Sequence, residues 1–167
     1  MKAFGKAVIG SALGLAALMP TARADGMGGQ SSVRWETIVG IIEPGATIGS
    51  LTGGGEPWTT LGGLAYVDLA NNAVFFHVKG LVLAGGTSIG TPGAVNSVEG
   101  ALVCAPGASQ TVYYTEPVNL DGHGNAWFDG SFTSTPTGCS TSAIAFLIVV
   151  TSNGHWIANG AVQVPYP

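Results

Sequence analysis

The sequence predicts an all-β fold, an antiparallel β-sandwich of about eight strands, with a closed β-barrel as the alternative. Three observations carry this reading. From residue 33 onward, short apolar runs alternate with clusters of Gly, Pro, Asn and Thr, which is the pattern of strands and turns. No window has helical spacing with caps over ten residues. The 27 glycines and nine prolines interrupt the chain too often for long helices.

The N-terminus has a pattern of its own. Lys2 and Lys6 precede an apolar run over residues 7–19, and Ala22-Arg23-Ala24 follows it. This is the layout of a secretory signal peptide over residues 1–24, with cleavage expected before Asp25. The apolar run is too short for a permanent anchor, and Asp25 stands where a lipid-bearing Cys would be. Removing 24 of 167 residues leaves 143, the size of one domain. Residues 25–32 (DGMGGQSS) are expected to form a flexible arm, and residues 33–167 a single β-sandwich domain. The expected address is secreted or periplasmic, with no stable membrane anchor in the mature chain.

Strands are expected at 33–42, 63–69, 73–83, 95–104, 111–115, 126–133, 143–151 and 156–164. The best-defined pair is a hairpin about Asn71-Asn72, where Asn tolerates the positive φ of a two-residue turn. That turn would pair Leu69 with Val74, Val67 with Phe76 and Ala65 with Val78, an apolar set aimed at the core. Asp68–Phe75, Tyr66–His77 and Leu64–Lys79 would form the solvent side. Slipping by one residue would drive Asp68, His77 and Lys79 inward, so the choice of faces is strongly specified. Residues 143–150 are apolar on both faces, as in a central strand covered on both sides. The Gly-, Thr- and Pro-rich stretch 42–61 is too long for a hairpin loop and is expected to be a mobile surface excursion.

Charge narrows the functional classes. After cleavage only Arg34 and Lys79 are basic, against nine acids, a net charge of −7. Two cations cannot neutralise a phosphate backbone, which excludes nucleic acid, and an anionic membrane surface is disfavoured for the same reason. Charged residues make up 8% of the chain, against about a quarter in an ordinary domain. Ser, Thr, Asn and Gly supply the polarity instead.

The two cysteines, Cys104 and Cys139, are expected to form a disulfide in an oxidising compartment. A catalytic thiol has no Cys-x-x-Cys and no sequence-adjacent His to support it. The chain has three histidines, His77, His123 and His155, with no His-x-His or His-x₃-His spacing. A metal site could arise only if they converged in space with Asp121 or Asp129. The plainer readings are a cross-strand contact of His77 with Tyr66, a turn at His123 and a loop tip at His155. Glu116, Asp121 and Asp129 lack calcium-loop spacing and read as acids that keep a Lys-poor surface soluble. Gly86-Thr87-Ser88-Ile89-Gly90 has no following helix to make a nucleophile elbow. No cofactor motif is present.

Four tryptophans remain. Trp35, Trp127 and Trp156 fall in strands and are expected to pack. Trp58, after Glu56-Pro57 in the 49–61 stretch, is of the four the one most open to exposure and is the candidate ligand contact, the plainer reading being that it folds back over the edge of the core.

Gly63-Leu64-Ala65-Tyr66-Val67-Asp68-Leu69, followed by Val74-Phe75-Phe76-His77-Val78-Lys79-Gly80-Leu81, resembles the chordin-type (CHRD) domain, which opens with a Gly-x-Ala strand, a turn and a strand ending in Gly-Leu. Phe146–Val150, Asn153-Gly154 and Gly160-Ala161 resemble its closing hairpin. The resemblance implies a secreted β-sandwich. The family's His-Ile-His string, due after Gly80-Leu81, is replaced by Gly85-Gly86-Thr87-Ser88, so no site residue carries over. The functional expectation is a non-catalytic structural or binding module, with a polysaccharide or another extracellular protein as partner. The alternative is a small extracellular metal protein or hydrolase using loop His and Asp residues.

Overall fold

The computed structural model describes residues 31–107 and 109–166. The expected signal peptide, and the expected arm up to residue 30, lie outside the described residues. The chain folds into β1 (Ser32–Gly40), β2 (Thr47–Ile48), β3 (Leu51–Thr52), β4 (Trp58–Thr59), β5 (Gly62–Asp68), β6 (Ala73–Lys79), β7 (Val82–Leu83), β8 (Ser97–Cys104), β9 (Thr111–Tyr114), β10 (Val118–Asn119), β11 (Ala126–Ser131), β12 (Ile144–Val150) and β13 (Trp156–Pro165). The eight longer strands stand where the sequence places them, and no helix occurs among the described residues. β1 already includes Ser32, the last residue of the expected arm.

Nine strands form one sheet in the order β10-β8-β12-β13-β1-β5-β6-β11, with β9 also paired to β8. Every strand pairing in it is antiparallel. The sheet curls until its ends meet. Thr115 bridges Phe132, and the Thr133 N–H donates to the Tyr114 carbonyl at 2.8 Å. The fold is therefore all-β and antiparallel, and the two facing halves of the curled sheet fit the sandwich.

One core fills the space between these halves. The Phe146 ring lies 5.6 Å from Trp35 and 5.7 Å from Phe76, and Phe76 stacks on Phe128 at 5.8 Å. β12 is buried at every position except Ala145, as its two apolar faces require. Cys104, at the end of β8, is bonded to Cys139 across a Cα–Cα distance of 5.2 Å. The bond ties the connection between β11 and β12 to the sheet. Tyr113 adds a second tie, since its Oη accepts from the Thr137 N–H at 3.0 Å and donates to the Thr137 carbonyl at 3.1 Å.

The β5–β6 hairpin keeps its predicted faces but not its predicted register. Val67 pairs with Val74, Ala65 with Phe76 and Gly63 with Val78, while Tyr66 pairs with Phe75 and Leu64 with His77. The turn has four residues, 69–72, in place of two. Asp68 accounts for this by accepting from the Ala70 N–H at 2.9 Å and from Asn71 Nδ2 at 2.6 Å. Such side-chain-to-backbone bonds stabilise a longer turn, and Asn72 supplies a φ of 52°. The shift is by two residues, and an even shift preserves which face is buried. Further along, the expected strand 73–83 breaks at Gly80, where φ is 61°, and resumes as β7.

The stretch 42–61 lies at the surface as expected, with Ile42 87% and Leu61 90% exposed, but it is anchored and Trp58 turns inward from it. It is stitched into the fold by backbone hydrogen bonds: Trp58 N–H to the Ile41 carbonyl at 2.7 Å, Gly53 N–H to Ala46 at 2.7 Å, and Gly54 N–H to Trp156 at 2.9 Å. The Trp156 indole N–H donates to the Ala46 carbonyl at 3.2 Å. Trp58 is only 5% exposed. Burying an indole removes about 150–250 Å² from water, and its backbone N–H needs a partner once buried. Both demands pull the segment inward.

Candidate functional site

The face of the β5–β6–β11 region that points away from the core carries an open cleft of about 730 Å³, lined by His77, Lys79, Asn119, Asp121, Asn125 and Trp127. Alternation along β11 builds one wall. Ala126 is buried and Phe128 stacks on Phe76 in the core, so Trp127 between them projects outward and is 60% exposed. On β6 the same alternation buries Phe76 and Val78 and turns His77 and Lys79 to the outer face. Register sets Trp127 beside His77. Phe75 supports the wall, with its ring edge-on to Trp127 at 6.1 Å and to His77 at 6.0 Å.

The turn Asp121-Gly122-His123-Gly124-Asn125 forms the opposite wall. Asp121 Oδ1 accepts the His123 and Asn125 N–H groups, each at 2.8 Å, and Oδ2 accepts from Asn125 Nδ2 at 3.0 Å. Those bonds, from Asn125 first and then from His123, hold the Asp121 carboxyl below its usual range, because they favour the charged form. The turn docks on the chain leaving β6. The Leu81 N–H donates to the Gly124 carbonyl at 2.8 Å, and the Gly80 N–H donates to Asn125 Oδ1 at 3.3 Å. Position 124 must be glycine. Its φ is +76°, and a Cβ there would lie 2.3 Å from the Leu81 carbonyl oxygen.

His77 is held below the usual imidazole range, chiefly by burial and secondarily by Lys79, which favours its neutral form. Its Nδ1 is buried and has no hydrogen-bond partner among the described residues. The cleft thus offers an indole face, two amides, an imidazole and the Lys79 ammonium. Its one carboxylate is committed to holding the turn.

The structure separates the other candidates. His123 is exposed on the turn, and the His155 N–H donates to Asn153 Oδ1 at 3.0 Å at the end of the β12–β13 connection. Among the described residues, no group of three or more His, Cys, Asp or Glu side chains could hold a metal ion. His77 faces Leu64 and Trp127 across the sheet instead of Tyr66. On β8, Glu99 is raised above the usual carboxylate range by burial first and by Glu116 second.

Two tryptophan expectations are corrected. Trp58 is the buried one and Trp127 the exposed one, which removes the observation on which a ligand contact through Trp58 rested. The signal for Trp127 was present in the alternation of Ala126-Trp127-Phe128. Nothing local identified Asn119, Asn125 and Lys79 as its neighbours. Tryptophan quenching checks the assignment. Trp127→Phe is expected to remove most of the acrylamide-quenchable emission, and Trp58→Phe to leave it nearly intact. The reverse result would invert the two roles.

Comparison with family models, with curated proteins and with solved structures gives no match.

Proposed function

We propose that this chain is an extracytoplasmic, non-catalytic binding module that holds its partner in the Trp127 cleft, and that the partner is a polysaccharide. The single observation that carries this reading is an exposed indole set beside amide donors and acceptors in an open cleft. A sugar ring presents an apolar face that packs on an aromatic ring, while its hydroxyls need hydrogen-bond partners such as the Asn119 amide and the second N–H and lone pair that Asn125 keeps beyond its bonds to Asp121 and Gly80. A non-catalytic role is supported by Asp121, whose carboxylate oxygens are both occupied within their own turn and whose low pKa makes it a poor base. The disulfide and the lack of a membrane-spanning helix among the described residues fit an address outside the cytoplasm. The leader-like residues 1–24 and the resemblance of 63–81 to the chordin-type hairpin support the same address.

Affinity electrophoresis in native gels containing soluble neutral polysaccharides (hydroxyethylcellulose, xylan, galactomannan) tests this. At least one polymer is expected to retard the mature protein. Trp127→Ala is expected to weaken that binding by about 2 kcal/mol, roughly thirtyfold, as for a central aromatic contact. An unchanged melting temperature would confirm that the variant is folded. Retardation unaffected by Trp127→Ala would remove the cleft as the site. No retardation by any polymer, together with co-purification of an extracellular protein lost in Trp127→Ala, would turn the reading to a protein partner.

A further inference from the structure

The cleft does not stand alone on this face. A second hollow of about 350 Å³ is lined by Arg34, Leu64, Tyr66 and Tyr166. The two hollows adjoin through one cross-strand pair, since His77 lines the first, Leu64 lines the second, and the two residues face each other across β5 and β6. Directly opposed side chains on a sheet have Cβ atoms about 4.5–5.5 Å apart.

Aromatic rings connect the two hollows, Trp127 lining the first, Tyr66 and Tyr166 the second, and Phe75 standing between them. Trp127 on β11 meets Phe75 on β6 at 6.1 Å. Phe75 pairs with Tyr66 on β5, and Tyr66 pairs with Arg34 on β1. Tyr66 meets Tyr166 edge-on at 4.9 Å, and the Arg34 guanidinium lies 5.5 Å from the centre of the Tyr166 ring. Three strand spacings separate β11 from β1, a length of about 14 Å. Polar groups flank the rings: Asn119, Asn125 and Asp129 at the Trp127 end, and the Tyr66 hydroxyl and Arg34 at the other. Arg34 is paired with Glu36, so this end is not a naked cation awaiting an anion.

We infer that the two hollows are successive subsites for one linear, neutral polysaccharide chain, which crosses the strands from Trp127 to Tyr66 and Tyr166. The inference rests on the reading of the cleft given above and extends it to ligand length, charge and physical form. Neutrality follows from the charges present. Lys79 and Arg34 are balanced on this face by Asp121, Asp129 and Glu36, and the mature chain is acidic as a whole, which disfavours polyanions. A single soluble chain is favoured over a crystalline surface because the track of rings is not flat. Phe75 stands at 77° to Trp127 and Tyr66 at 70° to Tyr166, so no one plane could lie against all the rings. A chain with rotatable linkages can follow them.

Calorimetric titration of the mature protein with cello-, xylo- and manno-oligosaccharides of two and four units tests the track, because two units fall short of its length and four cover it. For the sugar that binds, four units are expected to bind at least tenfold tighter than two. Trp127→Ala should weaken both lengths, whereas Tyr66→Ala and Tyr166→Ala should bring the four-to-two ratio close to one. Tyr166→Ala serves as the second variant because that ring is 40% exposed and its loss leaves the core intact. Equal affinity for both lengths, or a ratio that survives both tyrosine changes, would overturn the track while leaving the Trp127 cleft standing. Binding to microcrystalline cellulose as strong as to the soluble polymer would overturn the single-chain form. Absence of binding by every oligosaccharide, or binding insensitive to Trp127→Ala, would take the cleft reading down as well.

Discussion

Replacing Phe76 by alanine is expected to lower the stability of the domain by about 3–5 kcal/mol, the usual cost of truncating a fully buried phenylalanine. The ring is 0% exposed and connects two halves of the curled sheet. It stacks on Phe128 of the neighbouring β11 at 5.8 Å and reaches Phe146 of β12, on the facing side, at 5.7 Å. The sequence makes room for this contact at Gly100 on β8, where a Cβ would sit 3.0 Å from both the Phe76 and the Phe146 rings. Collapse around the missing ring would have to draw two sheet halves together, and backbone hydrogen bonding resists that. The cavity term should therefore persist. Urea unfolding followed by fluorescence measures the loss, and a value under about 1 kcal/mol would mean that the site relaxes freely. Phe76→Asp should be worse, because it buries a charge with no partner.

Loss of the disulfide should cost about 2–4 kcal/mol. The bond joins residues 35 apart in sequence, for which loop-closure entropy alone gives about 4 kcal/mol as an upper figure. Its place in the fold gives that number a local meaning. Cys139 lies on the crossing from β11 to β12, which otherwise holds to β9 through the Tyr113–Thr137 hydrogen bonds. Cys104→Ala is expected to leave the fold unchanged and to shift the urea midpoint downward. Reduction with dithiothreitol should bring the parent protein to the level of the variant and leave the variant where it is. The intact mass of oxidised protein should be two hydrogens below that of the reduced form. Two titratable thiols in protein prepared from an oxidising compartment would refute the bond.

The features legible in the sequence share a property: each is set by residues close together in the chain. Alternation assigned the buried face of the β5–β6 hairpin, and the doubly apolar run 143–150 marked a central strand. The cysteines are the exception: they lie 35 residues apart, and their number alone left one pairing. Where local reading failed, a competing interaction decided, close by in the chain for the hairpin turn and distant for Trp58. Asp68 lengthened the hairpin turn by capping it, which moved the register by two residues. Trp58 was read as the one most open to exposure because Gly-rich neighbours offered nothing to bury it. Its cover comes instead from distant partners, with Ile41 accepting its N–H and Trp156 anchoring Ala46 beside it.

The candidate site shows the same division. The sequence by itself determined that the domain is β-rich and antiparallel and that it is poor in cations. Hydrophobic period and composition are properties of a linear chain, so they survive without coordinates. Only the tertiary structure decided which tryptophan meets solvent and which polar groups stand beside it. Trp127 reaches His77 because β11 pairs with β6, 50 residues earlier. Asn125 arrives because Gly124 lets its turn approach the backbone of Leu81. Both contacts depend on strand order and close backbone approach, which arise from the packing of the whole sheet around one core and leave no period in the sequence to be read.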